Sequence, residues 1–237
     1  MYARILIAGT LLAAGTVSAQ SALQDVLAGK LVKPEVGVWA WYEIDDPATD
    51  EKVQLRQAIT AEERVKRKDG FWVETLIRPQ VGFPVVYKML LTGPATDPGN
   101  VHAVYYQAGT EPPVEVPLDE LEVQAEPTEI EQLEPLEEVN MPTPQGNILC
   151  RHYKLADGTE VWTSDELPPL GIVRLQSDKG NMVLQRYGKG GPDAAAQLRA
   201  PGEPSGQETE APQDSAEPQE EREKPAPVRR NFGGRRP

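Results

Sequence analysis

The sequence predicts a mainly β protein built on an antiparallel meander, and three observations carry that prediction. Short segments between Val36 and Tyr187 are rich in Val, Ile, Tyr and Trp and change face at every residue. Gly, Pro and Asp clusters separate them. Helical spacing occurs in one short segment only, near the N-terminus.

Each element can be read in turn. Ser21 with Gln24 forms a capping-box pattern, and Leu23, Val26, Leu27 and Leu31 fall on one helical face. An amphipathic helix is expected from about Ala22 to Val32, ended by Pro34. Val36–Ile44 alternates, with Val38, Ala40, Tyr42 and Ile44 opposite Trp39 and Trp41. Val53–Ile59 and Phe71–Ile77 follow, with the hairpin turn expected at Asp69-Gly70. Val85–Leu91 and Val101–Tyr106 add two strands bounded by Gly93-Pro94 and Pro98-Gly99-Asn100. Residues 111–138 read as an acidic, Pro-rich connector with one or two short helices, Thr128 and Glu131 offering a cap. Strands then return at Gly146–Leu155, after the Asp157-Gly158 turn at Val161, past Pro168-Pro169, and at Met182–Tyr187. Several of these strands are apolar on both faces, whereas a sheet with one wet face should alternate cleanly. A second layer, a ligand or a partner must cover the other face.

The domain plan is a signal peptide at residues 1–19, a folded domain at 20–189 and a disordered tail at 190–237. Arg4, the apolar run from Ile5 to Ala14 and the small residues Val17-Ser18-Ala19 have the layout of a secretory signal too short to span a bilayer; a retained anchor is the alternative. No Cys follows the run, so a lipoprotein is not expected, and the mature chain should be periplasmic or secreted. Cys150 is the single cysteine, which excludes an intrachain disulfide. The net charge of −13 is concentrated between Glu111 and Glu138, where every charged residue is acidic, so the remainder is close to neutral. A carboxylate Ca²⁺ site there is the alternative to a solvated connector, but the regular loop spacing is missing. From Gly190 onward Pro, Gln, Glu, Ala and Gly dominate, a composition poor in groups that offset ordering entropy. Its end is basic, and Arg229, Arg230, Arg235 and Arg236 flank Phe232 as in RGG-type anion-binding segments. Outside the cytosol the fitting partner is an anionic envelope surface, not nucleic acid; a tail without a specific partner is the alternative.

Chemistry is sparse. Cys150 and His152 share a strand face by spacing, yet a nucleophile pair needs a third group to orient the imidazole and an oxyanion site. A buried structural pair is the simpler reading. Ser164-Asp165 lacks the Gly-x-Ser-x-Gly elbow, and the sequence has no phosphate loop and no metal-spaced Cys/His cluster. No catalytic residue, cofactor or metal is expected. Trp39, Trp41, Trp72 and Trp162 either line an apolar pocket or fill the core.

Tyr42-Glu-Ile44, Phe71-Trp-Val-Glu74, Lys88-Met-Leu90, Thr143–Tyr153 and Val161–Val173 together resemble exported bacterial proteins of the LolA/LolB-like superfamily. The likeness spans about Leu31 to Tyr187 and is greatest to uncharacterised DUF4412-type members. It implies a strongly curved antiparallel sheet, an incomplete β-barrel with helices plugging its concave side. It also implies a non-enzymatic hold on an acyl chain or other apolar small molecule, with Trp39, Trp41, Trp72, Met89 and Trp162 as ligand-cavity candidates. Arg56 and Arg78 are candidates for the arginine that governs ligand release in the carriers, while the acidic connector and the tail depart from the family pattern. The competing expectation is a structural or interaction protein whose sheet is plugged by its own chain and whose tail binds.

Overall fold

The computed structural model describes residues 31–46, 51–95, 97–120, 133–178 and 180–201. The proposed signal peptide, the capping box at Thr128 and the four tail arginines lie outside these residues. So does the expected N-terminal helix up to residue 30; its last two positions, Leu31 and Val32, are not helical, and Val32 N–H donates to Pro169 O instead. Among the described residues there is no α-helix, and a single 3₁₀ turn, Leu118–Glu120, stands where connector helices were expected.

Among the described residues eleven strands form one open antiparallel sheet. They are β1 (Val38–Asp46), β2 (Glu51–Val65), β3 (Lys68–Pro79), β4 (Val85–Leu91), β5 (Val101–Ala108), β6 (Val114–Glu115), β7 (Glu137–Thr143), β8 (Gly146–Lys154), β9 (Glu160–Thr163), β10 (Ile172–Ser177) and β11 (Gly180–Lys189). Their spatial order is β6-β5-β4-β3-β2-β1-β11-β10-β9-β8-β7. From β1 at the centre the strands step outward to β6, resume at the opposite edge with β7 and step back until β11 pairs with β1. The edges remain apart, but the β7–β8 turn reaches the centre: Gln145 Nε2 donates to Tyr187 O at 2.8 Å, and Tyr187 N–H donates to Gln145 Oε1 at 3.0 Å.

The register sorts side chains onto two faces. The core face carries Ala40, Tyr42, Ile44 and Leu55 with Met182, Leu184, Leu175 and Val161, joined by Leu167 and Leu170 from the Pro-Pro corner. It continues through Ile59, Val73, Leu91 and Val104, and Leu31 packs against both groups. The other face carries Trp41, Ala61, Trp72, Leu76, Val86, Leu90 and Tyr105. Leu198 and Ala200 are packed into this second cluster and are 1% and 2% exposed. The two-faced apolar pattern is therefore answered by the chain itself: residues 191–200, here called the strap, lie on the second face, here called the strap face.

The strap falls within residues 190–237, the span expected to be a disordered tail. It is held by main-chain bonds and by one Leu, features that composition does not register. Two further differences have local causes. The β2–β3 turn is Lys66-Arg67, both at positive φ (48° and 74°), while Asp69-Gly70 is paired inside β3. Gly70 is needed for space: a Cβ there would stand 3.0 Å from Glu63 O and 3.2 Å from Leu90 Cδ1. The acidic stretch also contains β6 and the start of β7, whose charges and Pro142 suit a sheet edge.

Candidate functional site

Arg56, Glu74 and Lys88 occupy positions on β2, β3 and β4 that register assigns to the strap face, and none is more than 1% exposed. Glu74 lies directly opposite Lys88 and opposite Ala58, two residues beyond Arg56. An isolated buried charge is too costly to keep, so the three compensate one another. Arg56 Nη2 donates to Glu74 Oε1, and Lys88 Nζ stands 4.0 Å from Glu74 Oε2. Burial pushes the Glu74 carboxyl above the ordinary range, against the pull of the Leu198 and Gln197 amides and of the two cations.

The strap completes this set. Arg56 Nη1 donates to Asp193 O at 2.9 Å and Ala195 O at 3.0 Å. Lys88 Nζ donates to Leu198 O at 2.7 Å. In return Gln197 N–H donates to both Glu74 oxygens, and Leu198 N–H to Oε2, each at 2.9 Å. Every one of these bonds reads the strap's main chain. Two side chains anchor it as well. Leu198 enters the apolar cluster, and the Asp193 carboxylate accepts from Trp41 Nε1 at 3.0 Å and pairs with Arg186 at 2.9 Å.

The strap is entered from β11 through Gly190 and Gly191, with φ of 73° and 72°, a conformation that favours glycine. Trp39 Nε1 donates to Gly190 O at 2.9 Å, and its ring lies over Gly188, where a Cβ would be 2.8 Å from Cζ2. The Arg186 guanidinium sits 5.6 Å from the Trp39 ring and 5.2 Å from Trp41, and Arg78 is 5.2 Å from the Trp41 ring. Stacked cations and indoles of this kind contribute about 0.5–1 kcal/mol each when exposed.

The five ligand-cavity candidates are not brought together. Trp39, Trp41 and Trp72 belong to the strap-face cluster, Met89 packs on the core face, and Trp162 lies in the returning arm against the core group of β8–β11. A polar recess of about 320 Å³, lined by Glu43, Lys52, Gln54, Arg78, Pro79 and Gln80, contains none of them. Of the two candidate arginines, Arg56 holds the strap and Arg78 faces this recess and Trp41.

Cys150 and His152 serve different surroundings. Cys150 is fully buried in the core, its thiol donates to Ile148 O at 3.5 Å, and burial pushes its pKa up. The His152 ring stacks on Trp162 at 4.4 Å between centroids, with Nε2 3.2 Å from Glu160 Oε2, and Arg174 lies 5.3 Å from the same indole. Ser164 is buried and Asp165 pairs with Arg151. Among the described residues no three His, Cys, Asp or Glu side chains gather as a metal site.

The core face carries a polar row set by register: Gln57 on β2, Thr75 on β3, Tyr87 on β4 and Tyr106 on β5 are successive partners. Gln57 Nε2 donates to Thr75 Oγ1 at 3.3 Å, but among the described residues Gln57 Oε1, Tyr106 Oη and Tyr42 Oη on β1 are buried without hydrogen-bond partners.

Fold and site together define an open antiparallel sheet strapped on one face by residues 191–200 of its own chain through buried charges. Comparison with protein families, curated proteins and solved structures finds no match to the chain.

Proposed function

We propose that this chain is an exported, non-enzymatic interaction protein whose sheet is plugged by its own strap and whose tail beyond Pro201 docks on an anionic envelope surface. The observation that carries the reading is the strap itself. It occupies the face on which Trp39, Trp41 and Trp72 stand, so the aromatic side chains best suited to an acyl chain already have a partner. Arg229, Arg230, Arg235 and Arg236 supply the charge for docking, at roughly 1 kcal/mol per basic residue near an anionic membrane.

A second reading, an apolar ligand with a polar head bound on the core face, is favoured by the unpartnered Tyr42 Oη, Gln57 Oε1 and Tyr106 Oη. Buried groups of this kind require an explanation, and a ligand hydroxyl or carbonyl supplies one.

One experiment separates the two. The mature chain is sedimented with vesicles of phosphatidylglycerol or of phosphatidylcholine at low and physiological salt, and its organic extract is examined by mass spectrometry. The expected result is binding to phosphatidylglycerol alone, weakened by salt and lost when the four arginines are replaced by Ser, with a clean extract. A stoichiometric lipid in the extract, with vesicle binding indifferent to the arginines, would favour the core-face ligand and end the first reading.

A further inference from the structure

We infer that the groove on the strap face is an acceptor site for residues 191–200 of a second copy of this chain, so that two copies can exchange straps. This goes beyond tail docking and depends on neither reading above. Three observations lead to it.

Recognition runs through the main chain of the segment. Arg56, Glu74 and Lys88 meet three strap carbonyls and two strap amides. Asp193 and Leu198 fix the register from either end, through Arg186 with Trp41 and through the apolar cluster. None of these contacts requires the segment to continue from the same copy's β11.

The joint is built to re-aim. Gly190 and Gly191 follow β11 directly, and a Cβ built at either meets nothing within 4 Å. Gly190 is held through its carbonyl by Trp39 Nε1 and through its N–H by Gly37 O, so the change of direction falls on Gly191, whose backbone no Cβ restricts.

The empty groove would also be selective. It would expose an apolar cluster around one buried carboxylate and two buried cations, and a buried charge left without its partners is strongly unfavourable. An occupant must therefore present carbonyls to Arg56 and Lys88, amides to Glu74, an acid to Arg186 and a leucine five residues later. Every copy of the chain carries that segment, as Asp193-Ala-Ala-Ala-Gln-Leu198. Exchange of an identical element is a low-cost route to a symmetric dimer.

The test uses the full chain with Leu198→Asp, which weakens the resident strap and leaves the groove unchanged. A fluorescent peptide corresponding to Gly191–Pro201 should bind this variant at least about tenfold more tightly than the unaltered chain, because affinity scales with the fraction of open groove. A peptide carrying the same Leu→Asp change should not bind. Mixed with unaltered chain of different mass and held just below the melting temperature, the variant should give a heterodimer in native mass spectrometry. Asp193→Asn, at the strap's rim, provides a second acceptor should Leu198→Asp fail to fold. Peptide binding without a heterodimer would overturn the second copy as donor. No peptide binding to either folded acceptor would overturn the groove itself.

Discussion

Arg56 and Glu74 each lose their hydration on folding, at an effective cost of several kcal/mol per ion, which their mutual pair and the strap bonds offset; among the described residues Arg56 Nε alone of the guanidinium nitrogens stays buried without a hydrogen-bond partner. That offset is shared among three strands and the strap, so removing one member strands the rest. Arg56→Met is expected to cost about 3–5 kcal/mol in urea denaturation, since Glu74 keeps only Lys88 and the strap amides while two strap carbonyls lose their donor. Adding Glu74→Gln should recover part of that loss, because a neutral amide no longer needs the guanidinium. The sign of the pH response follows from the raised folded-state pKa of Glu74. A carboxyl raised on folding contributes stability that is fully present below its unfolded pKa and lost as pH rises through the folded value. Taking away Arg56 removes one of the groups holding that value down, so the deficit of Arg56→Met should be largest near pH 7 and shrink on acidification. A deficit that does not change with pH would show that Glu74 is not the group left exposed.

At the level of elements, the strap shows how order arises without a compositional signal. Ten residues, four of them Ala, bury one large apolar side chain, Leu198, worth roughly 1.5–3 kcal/mol against full exposure; the rest of their order comes from main-chain bonds to side chains on β2, β3 and β4. Leu198→Ala should therefore cost about 2–5 kcal/mol at most, bounded by the free energy of strap docking. Hydrogen exchange is the direct measurement: the Gln197 and Leu198 amides should lose protection while β1 and β11 keep theirs. Uniform loss across the sheet would mean that the strap and sheet unfold as one unit. The strands were legible in sequence because period two and turn clusters encode them, and β4 ends where the pattern says it should. The edge strands were not, since β6 is only Val114–Glu115 and β7 carries Glu137, Glu138 and Pro142, which read as connector. The site was half legible. Glu74 stands between Trp72 and Leu76, and Lys88 between Val86 and Leu90, on one face of otherwise apolar strands. That parity marks them as buried and in need of partners, but the partners are backbone groups of a distant segment, which no side-chain pattern announces.

At the scale of the molecule, the path of the chain couples its first described strand to its last. β1 and β11 pair at the centre of the sheet, and the strap then crosses onto strands laid down more than a hundred residues earlier, as the Arg56 to Asp193 and Lys88 to Leu198 bonds show. Pairings of such sequence separation form late, because loop closure must precede the contacts that stabilise it. The strap face of β1–β5 should thus be the last surface sealed and the first to open. Truncation measures how much of the chain the sheet needs. A chain ending after Pro201 should keep the melting temperature of the full protein within a degree or two, because its strap remains docked. A chain ending after Lys189 should melt at least about 8 °C lower, given that 1 kcal/mol shifts a domain of this size by roughly 2–4 °C and that three buried charges lose their strap partners. It should also bind a hydrophobic dye at room temperature through the uncovered Trp72, Leu76 and Leu90. Equal melting of the two truncations would show that the strap adds nothing to the fold, and would leave Arg56, Glu74 and Lys88 to compensate one another alone.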